Sequence, residues 1–250
     1  MNFSNKNIII RVDFNVPIKN SKIQDTLRID KSIPTIKKCL KDNPKRLIII
    51  SHLGRPNGKI IDNLSLKILI PYLENILFQK IGFCDLENIN ENNYQIILME
   101  NIRFYPEEEG INTTSDKVEK FRQKLTNLGD IFINDAFGCC HRSHSSIVGI
   151  NCPIKIPGLL VQSEVKYLKD SINKGKRPIL AIIGGAKVND KIKLLTNLIK
   201  KVDNIIIGGG MAFTFLKYYG LDIGASLFDS EGYQLVEEIL DELNSRLNDI

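Results

Sequence analysis

The apolar stretches of this 250-residue chain are all too short to span a membrane, and its start lacks the pattern of a secretory signal peptide. Basic runs and aromatic stacking platforms are also missing, which argues against nucleic acid as a partner. The net charge is only +5, from 34 Lys and Arg against 29 Asp and Glu. Five cysteines (Cys39, Cys84, Cys139, Cys140, Cys152) form an odd set without metal-ligand spacing. They read as idle or buried thiols in a reducing cytosol, so a cytoplasmic chain is expected. The adjacent pair Cys139-Cys140 reads as small-residue packing rather than a redox pair, and no metal ligand set is expected. The sequon at Asn112-Thr113-Thr114 carries no meaning in that compartment. There is no internal repeat and no low-complexity tract. At 43% hydrophobic and 25% charged, the composition is that of an ordinary globular protein, in one large domain or two small ones.

Six short apolar runs are present, and each breaks into a polar or Gly-rich cluster at its C-terminal end. Ile8-Ile9-Ile10 leads into Arg11-Val12-Asp13-Phe14-Asn15, and Leu47-Ile48-Ile49-Ile50 into Ser51-His52-Leu53-Gly54-Arg55. Ile96-Ile97-Leu98-Met99 precedes Glu100-Asn101-Ile102-Arg103, and Ile131-Phe132-Ile133 precedes Asn134-Asp135. Ile179 to Ile183 runs into Gly184-Gly185-Ala186-Lys187, and Ile205-Ile206-Ile207 into Gly208-Gly209-Gly210. Continuous β-branched runs suit strands buried on both faces of a parallel sheet. Ligands of open parallel sheets bind beyond the carboxyl ends of the strands, where these clusters stand.

Helical periodicity covers Ile29–Leu40, Leu64–Phe78, Ser115–Leu128, Leu160–Ile172, Asp190–Val202 and Ser230–Leu247. Strand-helix alternation predicts βαβ units and an α/β fold. The stretch from Asn151 to Gly158 interrupts that alternation. It suggests a division at residues 1–158, a connecting helix over 159–173 and a second unit over 174–250. With only two convincing strands, the second unit reads as incomplete, since two strands bury a face poorly.

Lys outnumbers Arg 25 to 9, yet Arg55, Arg103 and Arg142 fall just past strand ends and Arg11 stands on one. The planar fork of Arg suits carboxylate and phosphate, so a small anionic ligand is expected. Asp13 and Asn15 either meet that ligand or close an Asx turn before Pro17. In Ser51-His52-Leu53-Gly54-Arg55-Pro56, a His and an Arg share a loop whose Gly permits close approach of the backbone. Arg103 faces a ligand, or pairs with Glu100 or with the run Glu107-Glu108-Glu109, which reads as a solvated loop face. His141 and His144 read as structural or as outer members of the Arg site. Asp25 or Thr26 caps the first helix, and Arg28 on it carries little information alone. Gly184-Gly185-Ala186-Lys187 before a helix carrying Lys191 is a phosphate-type turn, although it lacks the Walker spacing. Gly208 to Gly210 packs against a helix or lies along a flat ring.

Taken in order, Arg11–Pro17, Asp25–Ile29, Ser51–Pro56, Glu100–Phe104, Asn134–Gly138, His141-Arg142, Gly184–Val188 and Ile207–Met211 resemble the phosphoglycerate kinase family. The resemblance covers nearly the whole chain. It implies two Rossmann-like parallel-sheet three-layer domains joined by a helix, the second incomplete here, with hinge closure assembling the site. It implies an ATP/ADP- and Mg²⁺-dependent enzyme, a monomer, that moves a phosphoryl group between 1,3-bisphosphoglycerate and ADP to give 3-phosphoglycerate and ATP. The family's Mg²⁺ ligand is expected beyond residue 250, so a non-catalytic phosphoglycerate-binding fragment is the alternative.

By the same resemblance, Asp13, Phe14, Asn15, Arg28, His52, Leu53, Gly54, Arg55, Arg103 and Arg142 bind the glycerate substrate. Arg28 and Lys187 neutralise the moving phosphoryl group. Gly185, Lys187, Lys191, Gly208, Gly209 and Gly210 hold the nucleotide. Cys139-Cys140 depart from the small residues or Thr usual in the family.

Overall fold

Eight strands form in the first part of the chain. They are β1 (Asn7–Val12), β2 (Ile18–Lys19), β3 (Lys22–Ile23), β4 (Arg46–Ile50), β5 (Ile81–Cys84), β6 (Ile96–Met99), β7 (Ile131–Asp135) and β8 (Ile154–Pro157). Between them lie α1 (Leu27–Lys41), α2 (Ile70–Leu77), α3 (Pro106–Glu109), α4 (Ser115–Thr126) and α5 (Ser145–Val148), followed by α6 (Leu159–Lys174). The structure, a computed structural model, describes residues 2–248. It falls into two compact units, Met1–Val165 and Lys166–Ile250, with the division inside α6.

In the first unit six strands build one parallel sheet in the order β5-β6-β4-β1-β7-β8. Successive side chains of a strand point to opposite faces, so each apolar run supplies two cores. Ile8, Ile10, Leu47, Ile49, Ile96 and Leu98 pack against Ile29, Ile33 and Ile36 of α1 and Leu73 and Leu77 of α2. Ile9, Ile48, Ile50, Ile97 and Met99 pack against Phe121 and Leu125 of α4. Each such fully buried side chain contributes roughly 1.5–3 kcal/mol. The α/β reading is therefore borne out as a helix-sheet-helix sandwich.

Three expectations are corrected. Residues 151–158 do not merely interrupt the alternation. Ile154–Pro157 is β8, an edge strand paired parallel to β7 through Ile131↔Ile154 and Ile133↔Ile156. Pro157 is tolerated because the edge leaves its missing N–H without a ladder partner to serve. The helix expected over Leu64–Phe78 is broken into short 3₁₀ turns, Asp62–Leu64 and Leu66–Leu69, and then α2. Phe78 closes α2 in the left-handed region at φ 56° and is exposed. The run Glu107–Glu109 is helical and largely enclosed, as described below.

Asp135, at the end of β7, ties the start of α6 to the sheet. Its Oδ1 accepts from the backbone N–H of Leu160 at 2.9 Å and of Val161 at 3.2 Å. Thr35 Oγ1 of α1 accepts from Leu159 N–H at 3.0 Å. A carboxylate at a helix N-terminus meets both the orphan donors and the dipole.

In the second unit β9 (Leu180–Gly184) and β10 (Asn204–Gly208) pair in parallel, with Gly184 opposite Gly208. Helices α7 (Ile192–Ile199), α8 (Gly210–Tyr218) and α9 (Ser230–Asn248) accompany them. Ile183, Val188, Leu195, Ile199, Met211, Phe215, Val236 and Ile239 form its core. Leu180, Ile182 and Ile206, of opposite strand parity to Ile183, are half or more exposed. The helix expected from Asp190 instead begins at Ile192, after a 3₁₀ turn over Asn189–Lys191.

Candidate functional site

Strand order in the sheet changes direction between β1 and β7, since β4 follows β1 on one side and β7 joins it on the other. A crevice beyond the carboxyl ends at such a switch is the favoured ligand position of this architecture. The segments leaving β1, β4, β6 and β7 carry Asp13–Asn15, Ser51–Arg55, Asn101–Arg103 and Asn134–Arg142 to that end.

Arg11 lies beneath this crevice and is fully buried. Its Nε donates to Ser146 Oγ at 2.8 Å, its Nη1 to the carbonyl of Val12, and its Nη2 approaches His52 Nδ1 at 3.3 Å. A guanidinium can only donate, so Nδ1 of His52 is the acceptor and Nε2 carries the proton. Nε2 stands 4.0 Å from Asp13 Oδ1. Ser146 in turn gives its N–H to Glu108 Oε2 at 2.8 Å and its Oγ–H to Glu108 Oε1 at 2.6 Å. Glu108 is thus a buried counter-charge in α3, where the sequence reading had placed a solvated face. Pro at the first helical position and a left-handed Gly110 at the end bound this turn, a start-and-stop signature that could have revealed it.

Burial, reinforced by Arg11 and Arg103, pushes His52 down to about 2, and burial pushes Glu108 up to about 7. Burial and the Arg103 charge lower His144 to about 4. The unfolded chain takes up a proton at His52 near the ordinary 6.5, the folded chain only near 2. The stability His52 supplies is therefore present above about pH 6.5 and is lost as pH falls toward 2. Glu108 works the other way, its contribution being present below about 4.5 and lost as pH rises through 7. His52→Gln is expected to flatten the fall in stability between pH 6.5 and 4.5 by about one proton, read from urea unfolding at several pH values. An unchanged slope would show that His52 titrates normally in the fold.

Above this layer sit the more open cations. Arg28 Nη1 meets Asp13 Oδ2 at 2.7 Å, with the arginine side chain 53% exposed. Arg142 is half-buried, and its charge bears on Arg103, Cys139 and His144. Arg55 is exposed, with no hydrogen bond or ion pair among the described residues, so the structure does not draw it into the cluster. Arg103 is 3% exposed, and its Nε stands 3.2 Å from Glu109 Oε1. Its Nη1 donates to Gly54 O at 2.9 Å.

Gly54 links the loops: its N–H donates to Asn15 Oδ1 at 2.8 Å, and its φ of +64° suits glycine. Asp13 Oδ1 accepts from Asn15 N–H at 3.2 Å, so the Asx turn does form. Phe14 and Leu53 send their side chains into the core, leaving only backbone for a ligand. Asn101, missed by sequence reasoning as a site member, clamps Leu53 through its N–H and its carbonyl. A cavity of about 630 Å³ adjoins Asn15, Leu53 and Gly54, but no arginine lines it. The cluster's arginines thus do not line that cavity, although Gly54 at its wall accepts the Arg103 hydrogen bond.

Asp13, His52 and Cys139 bring one donor atom each within 4.8 Å of one another, a grouping that suggests a cation. The surroundings oppose one. Arg28 already neutralises Asp13, burial raises the Cys139 thiol, and the Arg11 hydrogen bond keeps the proton on His52 Nε2. A metal at Nε2 would need the other tautomer and a thiolate beside several guanidinium groups.

In the second unit Gly185, Lys187 and Lys191 follow β9, and Gly208 ends β10 with Gly209 and Gly210 after it, at adjacent strand ends. Gly209 has φ +68°, and a Cβ there would stand 2.9 Å from Gly185 O. Close backbone approach between the two loops requires glycine. Met211 N–H donates to Gly185 O at 2.9 Å and locks them. Lys187 is exposed and Lys191 half-buried.

A family model described as phosphoglycerate kinase matches residues 1–250. The chain belongs to the phosphoglycerate kinase family. It is 46% identical to the phosphoglycerate kinase of Tetrahymena thermophila, covering 97% of this chain and 62% of that protein. It is 49% identical to that of Paramecium primaurelia, over 92% of this chain and 67% of the relative. Among solved structures, the Coxiella burnetii phosphoglycerate kinase superposes with a TM-score of 0.79 at 36% identity, over 98% of this chain and 62% of that one. The Pyrococcus horikoshii OT3 enzyme gives 0.74 at 28% identity, over 98% and 63%. The chain thus spans about 62% of the length of the Tetrahymena relative.

Proposed function

We propose that this chain carries the phosphoglycerate site and part of the nucleotide site of a phosphoglycerate kinase. The enzyme moves a phosphoryl group between 1,3-bisphosphoglycerate and ADP, with 3-phosphoglycerate and ATP on the other side. The observation that carries the reading is that Arg28 and His52 stand against Asp13, and that Arg103 and Arg142 join Asp13 in bearing on Cys139, all at the carboxyl end of the sheet. On this reading residues 1–158 hold the glycerate, 159–173 connect, and 174–250 contribute to the nucleotide site.

Transfer between an acyl phosphate and a nucleotide needs no general base, because the attacking oxygen is already anionic. What it needs is fixed positive charge and hydrogen-bond donors. A neutral His52, pushed down to about 2, suits a donor through Nε2–H and not an acid-base group near neutrality. His52, Arg103 and Arg142 hold the 3-phosphate, and the exposed Arg55 stands outside this set. Arg28, held at 2.7 Å by Asp13, and Lys187 meet the transferring group. Gly185, Lys191 and Gly208 to Gly210 receive the nucleotide.

Mg²⁺ favours hard oxygen ligands and nucleotide phosphates. The one grouping of three potential metal-ligating side chains found among the described residues includes a thiol beside arginines, and it does not fit that ion. All five cysteines are free thiols, which suits the reducing cytosol proposed for the chain. Among the described residues, no helix is long and apolar enough to cross a membrane.

Calorimetry with 3-phosphoglycerate and an ATP-consumption assay test the reading together. Binding with turnover is expected for the kinase. Binding without turnover supports the second reading, a phosphoglycerate-binding chain. Absence of binding rejects both.

A further inference from the structure

The proposed phosphate-binding arginines do not stand free: a carboxylate in α3 sits behind one of them. Glu109 Oε1 lies 3.2 Å from Arg103 Nε and 3.6 Å from His144 Nε2. Arg103 Nη1 is taken by Gly54 O at 2.9 Å. One guanidinium nitrogen is thus hydrogen-bonded and a second stands beside the Glu109 carboxylate, which leaves Nη2 as the remaining edge. The Nε contact is an ion pair without an in-line hydrogen bond, and Nε is buried with no other partner. Glu109 itself is 13% exposed, so its charge is poorly screened.

We infer that Glu109 is a positioning residue for the phosphoglycerate site, setting the plane of the Arg103 guanidinium so that Nη2 meets the substrate phosphate. The inference rests on the functional reading above and deepens it. It also carries a sign that separates positioning from plain charge. A carboxylate beside an anion site repels the anion, so a Glu109 acting only through its charge would weaken binding, and neutralising it would tighten binding. A Glu109 that orients Arg103 does the opposite, since an unanchored arginine must be ordered by the ligand. The Pro106–Gly110 turn holds the carboxylate in place, and Ser145 Oγ donates to Glu107 O at 2.6 Å, fastening α3 to α5.

The experiment is calorimetric titration of the whole chain with 3-phosphoglycerate, for the wild type, Glu109→Gln, Arg103→Lys and the double variant. Glu109→Gln is expected to weaken binding about tenfold, equivalent to about 1.4 kcal/mol. In the Arg103→Lys background the same change is expected to move affinity less than twofold, because the residue acts through Arg103. The Nε–H signal of Arg103 in a ¹⁵N spectrum, identified by its loss in Arg103→Lys, should exchange with water faster in Glu109→Gln. A merely structural role would leave that signal alone.

Equal or tighter binding by a folded Glu109→Gln overturns the inference while leaving the functional reading in place. No binding by the wild type overturns both. If Glu109→Gln does not fold, Glu109→Asp carries the comparison, with weaker binding expected in the wild-type background and no change in the Arg103→Lys background. A weakening of equal size in both backgrounds also overturns it.

Discussion

Arg11→Ala is expected to lower the unfolding free energy of the chain by about 3–5 kcal/mol at pH 8, the usual cost of removing one partner from a buried charged network. Arg11 is fully buried and donates to Ser146, to the Val12 carbonyl and toward His52. Its charge is also the largest influence holding Glu108 down against a burial that pushes that carboxyl to about 7. Without Arg11 the Glu108 carboxyl is pushed higher still, so holding it ionised at pH 8 costs more, and a void replaces the guanidinium. Below neutrality Glu108 protonates and the penalty shrinks, so the loss should be smaller at pH 5.5 than at pH 8. Pairing Arg11→Met with Glu108→Gln should recover much of it, because buried opposite charges, here joined through Ser146, are often replaceable by uncharged groups of similar volume. Urea unfolding at the two pH values checks the result. A loss under about 1 kcal/mol at pH 8 would place Arg11 among ordinary surface substitutions.

On the kinase reading proposed above, Arg28→Ala and Lys187→Ala are each expected to lower kcat by about 10²–10³ while changing KM much less, since a cation aimed at developing charge acts mainly in the transition state. Arg28 is the more informative of the two. Its side chain is 53% exposed and rests on Asp13, so its removal leaves no buried orphan and the fold should survive. Lys187 is likewise exposed. Steady-state kinetics of the chain in the ATP-consumption assay separates the terms. A rise in KM at constant kcat would assign both residues to ground-state binding and not to transfer.

Much of this architecture was legible before any coordinates. The six apolar runs became β1, β4, β6, β7, β9 and β10, because continuous Ile and Leu in short bursts suit strands covered on both faces. The β8 strand escaped notice: Ile154-Lys155-Ile156-Pro157 is short, carries a charge and ends in Pro, as edge strands do. The β2–β3 hairpin turns at Asn20-Ser21, both with positive φ, a two-residue turn that only Asn marked weakly.

The cationic residues past the strand ends were readable from their positions, because a parallel sheet delivers every such loop to the same side. Which of them are free to meet a ligand was not readable. A sequence shows Arg11, Arg55 and Arg103 as equals. Packing makes Arg11 a buried strut, ties Arg103 to Glu109 and Gly54, and leaves Arg55 in solvent. The acidic run Glu107–Glu109 changed most, from an assumed solvated face to the counter-charge of the site. Alternation and burst length depend on neighbours along the chain and survive in a one-dimensional reading. Pairing of charges depends on desolvation and on partners 38 to 135 residues away, such as Glu108 with Ser146 and Arg11 with Ser146, and only the folded sheet brings those together.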